Sequence, residues 1–266
     1  MKLDADWLEQ YVHIVGGEPD GVITRVSASA FLEDDMAVSF LREFQKEITG
    51  HDLQVATTYF ISSWRALCAL QQYIVTLSDT WLDFSLSNME LLLCRKNGYP
   101  AIMFKLSEPA EQPWPDPLPH ERFREDMIAR FYSETLRPLA KVLARVSGLP
   151  AAQIWGQLPL GVSYYVNLIS GRLEQEPDRV RLQEEYERLT GELQPSVFGL
   201  SLNPYRIKKK MIDDPYHPGG QMTMKPTCCL AYRTDSGSGY CYSCPKLTRQ
   251  QREEKAAAIL AASASK

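Results

Sequence analysis

The amino-acid sequence predicts an α+β protein that is predominantly helical, with a small antiparallel β-meander and a C-terminal four-cysteine module. Apolar residues recur every three to four positions through most of the chain, which is typical of helices packed on a core. Between residues 82 and 106 the pattern changes to alternation and short apolar runs, as in strands. With 266 residues, 44% of them hydrophobic, the chain can bury a substantial core.

The first eighty residues are predicted to be helical. The clearest helix begins after Asp52, which suits an N-cap, and Phe60, Trp64 and Leu67 mark its apolar face. Cys68 lies beside this face. We therefore expect Cys68 to be a small core residue and not a ligand.

The β-meander is predicted from three segments with strand patterns: residues 82–86, 89–94 and 101–106. Asn97 and Gly98 separate the second and third segments, and this dipeptide is a strong hairpin signal. Cys94 ends the second segment and is expected to be buried in the sheet or at its edge.

A proline-rich segment separates the two helical halves of the chain. Residues 111–120 contain proline at every second position from Pro113 to Pro119, a spacing that excludes helix and central strand. We expect an extended linker that crosses the molecule, and not a proline-rich ligand for a partner.

The second helical half is predicted to begin near Glu121. Pro138 is expected to kink its first helix and Gly148 to end it. Further helices are predicted over residues 151–170 and 178–190.

The predicted domain organisation has three parts. Residues 1–194 form a helical and β-meander body that includes the crossing linker. Residues 195–247 form an irregular segment that ends in the four-cysteine module, and residues 248–266 form a terminal helix and tail.

Charge and hydropathy exclude several classes of protein. A net charge of −4 and a pI near 5.7 argue against a nucleic-acid-binding protein, which needs a basic face. No apolar run approaches the ~18 residues of a membrane span, and the acidic, polar N-terminus does not have the pattern of a signal peptide. We therefore expect a cytoplasmic protein, at most peripheral to the inner membrane, with reduced cysteines.

The four-cysteine module contains Cys228, Cys229, Cys241 and Cys244. A Cys-x-x-Cys turn directs two thiolates at one centre, whereas the side chains of adjacent cysteines diverge in extended backbone. Two irons bridged by sulfides require only two protein thiolates each, so the spacing favours an iron–sulfur centre. Zinc, which is usually held by two short Cys-x-x-Cys turns, and a disulfide remain alternatives.

This cysteine pattern resembles the C-terminal signature of the FhuF-like ferric-siderophore reductases. Leu230, Tyr232 and Arg233 also match the Cys-Cys-Leu-x-Tyr-Arg run of that family. The resemblance implies a [2Fe–2S] cluster, for which the implied ligands are Cys228, Cys229, Cys241 and Cys244. It also implies a reductase that reduces Fe(III) to Fe(II) in a siderophore, with the hydroxamate type favoured.

Two charged features have open roles. Arg233 either stabilises the reduced centre or forms a structural salt bridge. The basic run over residues 206–210 is either a solvated charge run or attracts an anionic chelate, an acidic electron donor or the anionic membrane surface.

The loop between the cysteine pairs has eleven residues, one more than the usual family pattern, and the extra length is placed over residues 236–239.

The source of electrons is predicted to be external. The chain has no glycine-rich nucleotide motif between strand and helix, so we expect a donor such as a ferredoxin or a flavin reductase. The four histidines are scattered, and no catalytic side chain beyond the cluster ligands is predicted. The alternatives are a non-catalytic zinc or iron–sulfur module for partner binding or iron sensing, and a generic electron-transfer protein.

Overall fold

The protein combines a set of packed helices with a small sheet, as the computed structural model shows for residues 5–78, 80–108, 112–113, 120–236 and 239–264. Helical segments of all types account for 55% of the described residues, which confirms the predominantly helical class. The α-helices are α1 (Ala5–Trp7), α2 (Asp34–Glu47), α3 (Leu53–Ser63), α4 (Arg65–Leu77), α5 (His120–Arg130), α6 (Arg137–Ser147), α7 (Ala151–Trp155), α8 (Pro159–Ser170), α9 (Glu176–Gly191), α10 (Pro195–Phe198) and α11 (Arg249–Ala264). The strands are β1 (Ile14–Val15), β2 (Val22–Ser27), β3 (Thr80–Trp81), β4 (Met89–Lys96), β5 (Tyr99–Leu106), β6 (Gln112–Pro113), β7 (Met211–Asp213) and β8 (Gln221–Thr223). Short π-helical and 3₁₀ segments cover Leu8–Val12, Ala30–Leu32, Leu86–Asn88, Phe131–Leu136 and Ala231–Arg233.

The main sheet has the strand order β1-β5-β4-β2. β4 and β5 form an antiparallel hairpin in which Met89 pairs with Leu106. At its tip Asn97 and Gly98 have φ values of 52° and 82°, the left-handed conformation that a type I′ turn requires. The predicted hairpin is therefore confirmed. β2 is antiparallel to β4, but β1 is parallel to β5, so the sheet is mixed and not an antiparallel meander.

The first predicted strand of the meander, residues 82–86, is wrong. This segment is irregular, because the Asp83 carboxylate accepts a hydrogen bond from the backbone N–H of Ser85 at 2.8 Å, a local turn that competes with strand pairing. Phe84 and Leu86 are 4% and 8% exposed. Their alternation therefore reflects contact with the core.

The outer strands β1 and β2 come from the N-terminal region for which helix is predicted, so the prediction is wrong for these two segments. The sequence of β2 is rich in β-branched residues, which suit a pleated surface. Its pairing with β4 supplies hydrogen bonds that no local pattern can reveal. The same region also contains the helices α2, α3 and α4, as predicted.

Aromatic side chains join the central helices to the sheet. Trp64, between α3 and α4, is fully buried, and its ring meets the ring of Phe104 on β5 with centroids 4.9 Å apart. Phe31 and Phe60 stack at 4.8 Å. These contacts fix α3 and α4 on the sheet, and α3 carries Thr58, whose hydroxyl binds the cysteine module.

Several predicted helix boundaries are confirmed. Asp52 caps α3, accepting a hydrogen bond from the N–H of Val55 at 3.0 Å. Pro138, for which a kink was predicted, lies in the first turn of α6 directly after a π-helical segment; a residue without an N–H is tolerated in that position, and the kink itself stays a prediction. Gly148 ends α6 with a φ of 70°. None of the described helices combines the length and apolar content that crossing a bilayer requires.

The predicted linker falls mostly outside the described residues. Within it, Gln112–Pro113 pairs with Thr80–Trp81 as a short antiparallel ladder. The helix predicted over residues 151–170 is divided between α7 and α8, and the one predicted over residues 178–190 is α9.

The two cysteines outside the module are buried, as predicted. Cys68 is 1% exposed, and its thiol hydrogen-bonds with the hydroxyls of Tyr132 and Tyr205. Burial raises the pKa of Cys68 to about 12, so this thiol stays protonated. Cys94 is fully buried in a smaller cluster with Met103.

Candidate metal centre

The cysteine module lies on two arms that meet after the β7–β8 hairpin. The first arm runs from Lys225 into the adjacent Cys228 and Cys229. The second arm contains the Cys-x-x-Cys turn, in which the N–H of Cys244 donates to the carbonyl of Cys241 at 2.9 Å. The two arms are joined by a backbone hydrogen bond from the N–H of Lys225 to the carbonyl of Ser243, also at 2.9 Å.

A sharp bend follows the adjacent cysteines. Leu230 has a φ of 59°, a left-handed conformation that costs a non-glycine residue about 1–3 kcal/mol. The bend aims the N–H of Leu230 at the Sγ atom of Cys228, at 3.4 Å. It is the tight local turn that adjacent cysteines need in order to reach one small centre.

The four sulfur atoms form two pairs, and each pair takes one cysteine from each arm. The Sγ atoms of Cys228 and Cys244 lie 3.6 Å apart. The thiols of Cys229 and Cys241 hydrogen-bond each other. Two thiolates on one tetrahedral metal with ~2.3 Å bonds lie about 3.8 Å apart, so the Cys228–Cys244 pair has the spacing of two ligands of one ion. The hydrogen bond between Cys229 and Cys241 brings the second pair together as well.

This arrangement fits a two-iron centre. Within the part of the chain that the structure describes, no three or more His, Cys, Asp or Glu side chains come together as a site for a single metal ion. All six cysteines are unbridged. Two pairs of thiolates are what two irons bridged by sulfides require, whereas a structural zinc ion takes four ligands around one point.

The pairs differ in exposure and in charge. Cys228 and Cys244 are buried, whereas Cys229 and Cys241 are half-buried. A hydrogen bond from Cys229 and the nearby Lys225 ammonium lower the pKa of Cys241 to about 6. The same shared hydrogen bond and burial raise the pKa of Cys229 to about 12, so this pair releases one proton readily and holds the second.

A family model described as the FhuF 2Fe-2S C-terminal domain matches residues 227–246. The segment that contains the four cysteines is therefore similar to an FhuF-type 2Fe–2S domain, and residues 227–246 are called the FhuF-type domain below. The match confirms the resemblance and the [2Fe–2S] cofactor that the cysteine pattern indicated. It covers twenty residues of the chain. None of the curated proteins compared with the chain matches it.

The FhuF-type domain is anchored on the helical body through the carbonyls of its adjacent cysteines. The hydroxyl of Thr58 on α3 donates to the carbonyl of Cys229 at 2.7 Å. The side-chain amide of Gln157, in the α7–α8 turn, donates to the carbonyl of Cys228 at 3.1 Å. The sequence did not reveal these anchors, because threonine and glutamine carry no metal-site signal.

Gly156 permits the close approach of the first arm. A Cβ atom at Gly156 would collide with the side chain of Thr227 and lie 3.0 Å from the carbonyl oxygen of Ala152. Residue 156 therefore has to be glycine for Thr227 and Cys228 to lie where they do.

Arg233 forms the structural salt bridge that was one of its two predicted roles. Its Nη1 atom donates to Oδ2 of Asp52 and to Oε1 of Gln54, each at 2.7 Å. The loop after the adjacent cysteines is thereby held against the start of α3, the helix that Asp52 caps. Of the longer loop that follows, Gly237 and Ser238 lie outside the described residues.

A partly buried cation, Arg65, stands behind the site. Its Nε atom donates to the carbonyl of Gln157 at 2.6 Å. Burial lowers the pKa of Arg65, and the charge of Cys229 counteracts the shift. A Cβ at Gly161 would collide with the Arg65 side chain, so that glycine leaves the space it occupies. In the sequence, Arg65 is a lone arginine beside an apolar helical face, and this position alone does not distinguish it from a surface cation.

The second arm is held by the C-terminal helix. Arg252 on α11 donates to the carbonyls of Tyr242 and Cys244, the latter at 2.9 Å.

The basic run of residues 206–210 lies before β7, and its lysines Lys208, Lys209 and Lys210 are exposed.

Proposed function

We propose that this protein is a ferric-siderophore reductase whose [2Fe–2S] ligands are Cys228, Cys229, Cys241 and Cys244. The observation that carries the proposal is the pairing of these four thiols across two arms, inside a domain of the FhuF 2Fe–2S type. When bound, the cluster supplies single electrons at a potential set by its surroundings.

The residues around the sulfur atoms support transfer of an electron without bond formation. Cys229 and Cys241 are half-buried, so one edge of the site faces a docked chelate. Lys225 and Arg65 place positive charge beside Cys229, which favours holding an additional electron. The backbone anchors from Thr58 and Gln157 keep the cysteines in place when the charge changes.

The substrate we propose is a ferric siderophore of the hydroxamate type, in the cytoplasm. Each chelate takes one electron, its Fe(III) becomes Fe(II), and the weakly held Fe(II) leaves the hydroxamate oxygens. No bond to the protein forms or breaks. The electrons come from an external donor, for which a ferredoxin or a flavin reductase is suitable.

The test uses anaerobically purified full-length protein, reduced chemically and freed of excess reductant. Mixed with a ferric hydroxamate and an Fe(II)-trapping chelator, it should regain the oxidised cluster spectrum and yield one trapped Fe(II) per cluster. The gallium(III) complex of the same hydroxamate is the matched control, since it has the same shape and cannot be reduced. A cluster that stays reduced with the ferric complex would exclude the proposed substrate class.

The basic run provides a second test of substrate docking. Replacing Lys208, Lys209 and Lys210 by glutamine should slow reduction of an anionic ferric chelate at low salt and weaken the salt dependence of its rate. The rate with a neutral chelate is the control. If the variant reduces the anionic chelate as fast as the wild-type protein does, as is expected for the neutral chelate, the basic run is only a solvated charge run.

A further inference from the structure

Lys225 occupies a fixed position between the two arms of the FhuF-type domain. Its backbone N–H is bound to the carbonyl of Ser243, and the residue before it, Met224, is bound to the carbonyl of Lys210 at 2.8 Å. Its Nζ atom lies 3.6 Å from the Sγ of Cys229 and also hydrogen-bonds with Cys241. The ammonium group is therefore held at the half-buried cysteine pair from both arms.

The buried pair has different neighbours. The Sγ of Cys228 accepts a backbone N–H from Leu230 and contacts the Sγ of Cys244. Lys246, the lysine that follows this pair in sequence, donates to the hydroxyl of Tyr232 at 3.3 Å, and its charge acts on Cys228 at longer range. Arg252 donates to main-chain carbonyls of the second arm. A full positive charge at hydrogen-bonding distance from sulfur is thus found at the Cys229–Cys241 pair.

This asymmetry has a consequence for a centre with two irons. Reduction adds one electron, and in a protein environment of low dielectric constant the added negative charge is stabilised most where a cation is nearest. A charge-assisted hydrogen bond to a thiolate sulfur also stabilises the more negative state. Both effects favour the iron on the side of Cys229 and Cys241.

We propose that Lys225 is a positioning residue that directs the added electron to the Cys229–Cys241 side of the centre. Because this pair is half-buried and the other pair is buried, the electron then lies at the edge nearest to an external donor and acceptor. The proposal rests on the four cluster ligands put forward above, and it is independent of the substrate.

The first test is the reduction potential of purified, cluster-loaded protein, measured by spectroelectrochemistry without any siderophore. Lys225→Met should lower the ratio of reduced to oxidised protein at a fixed ambient potential at least tenfold, a fall of ~59 mV for a one-electron couple. Lys225→Arg, which keeps the charge, should stay within threefold of wild type (about half that shift). Lys246→Met is the control for a lysine whose ammonium binds a tyrosine hydroxyl and whose charge acts on Cys228 only at longer range; it should also stay within threefold.

The second test can overturn the proposal with the wild-type protein alone, and two variants serve as its controls. Wild-type protein labelled with ¹⁵N in lysine side chains is reduced and studied by pulsed electron paramagnetic resonance. A ¹⁵N coupling to the reduced centre is expected in the wild-type protein and in Lys246→Met, and its absence is expected in Lys225→Arg.

Equal potentials for wild type and Lys225→Met, equal shifts for Lys225→Met and Lys246→Met, or a missing ¹⁵N coupling in the wild-type protein would each overturn the proposal. Failure of the substrate proposal looks different. In that case the potentials and couplings follow Lys225 as stated, while the reduced protein does not react with a ferric hydroxamate.

Discussion

The helical body and the FhuF-type domain differ in the interactions that position their residues. The body is organised by apolar burial, with side chains such as Leu91 and Trp64 fully removed from solvent. The domain shares this core through Cys228, Leu230 and Cys244 and, among its described residues, has a 3₁₀ turn at Ala231–Arg233. It is also fixed in position by hydrogen bonds from the body to the carbonyls of its adjacent cysteines. The site therefore depends on hydrogen bonds and close contacts that the body does not need for its own fold, and substitutions at those positions should affect the site more than the stability of the body.

The largest difference between the effect on the site and the effect on the fold is expected when a cluster ligand is replaced. Replacing any one of Cys228, Cys229, Cys241 or Cys244 by serine should abolish or severely weaken the visible absorbance and the iron content, since the pair it belongs to loses a thiolate. Far-ultraviolet circular dichroism should stay close to that of wild type, because the helices lie outside the domain. Cys68→Ser and Cys94→Ser are the controls and should keep the cluster spectrum. A normal spectrum without Cys228 or Cys229 would indicate a different ligand set.

A substitution in the core should give the opposite result. Leu91 on β4 is fully buried, and Leu91→Ala should lower the free energy of unfolding by about 2–5 kcal/mol through lost burial and a cavity. The folded protein should retain the absorbance and iron content of wild type. Urea titration followed by circular dichroism, with iron analysis of the folded fraction, measures both quantities. Loss of iron in proportion to the loss of stability would show that the two regions are one energetic unit.

Gly156 tests the contact between the regions. Gly156→Ala should displace Thr227 and the neighbouring Cys228, with a cost of about 1–3 kcal/mol typical of overpacking, and should reduce iron content without removing a ligand. Gly191→Ala is the matched control, because a Cβ there meets nothing within 4 Å. The double variant Gly156→Ala with Thr227→Ser removes the colliding methyl group and should restore iron binding. If the double variant binds no more iron than Gly156→Ala does, the loss of iron does not arise from the collision with Thr227.

The smallest predicted effect concerns the body alone. Burial lowers the pKa of His13 below 6.5, with a further lowering from Lys96, while its hydrogen bond with the carbonyl of Ile102 opposes the shift. The unfolded chain therefore takes up the proton first as the pH falls, so stability decreases as pH falls through 6.5 towards the folded-state pKa. The loss is at most about 1.4 kcal/mol per pH unit.

His13→Asn should remove this dependence. Asparagine does not titrate and tolerates the left-handed conformation of this residue, which has a φ of 63°. Urea unfolding at about pH 7.5 and about pH 5.5 should therefore show a smaller difference for the variant than for wild type. The cluster spectrum should be the same in both. An unchanged difference would assign the acid sensitivity to other groups.

Local signals in the sequence predicted much of the fold. Asp52 caps its helix, Asn97 and Gly98 form the hairpin, and Gly148 ends α6, because each of these residues acts on its own neighbours. The wrong predictions concern features that depend on residues far away in the sequence. Residues 82–86 alternate without pairing, and β1 and β2 pair with strands far away in sequence.

The sequence by itself determined which chemistry this protein carries: four thiols, their spacing and the FhuF-type 2Fe–2S signature depend only on residues close together in the chain. Only the tertiary structure decided how the thiols pair across the arms, that Lys225 lies at one pair, and that Arg233 binds Asp52. It also decided that Thr58, 171 positions before Cys229, binds the carbonyl of that cysteine. The physical reason is that contacts between distant segments are set by packing of the whole chain, which local pattern does not encode.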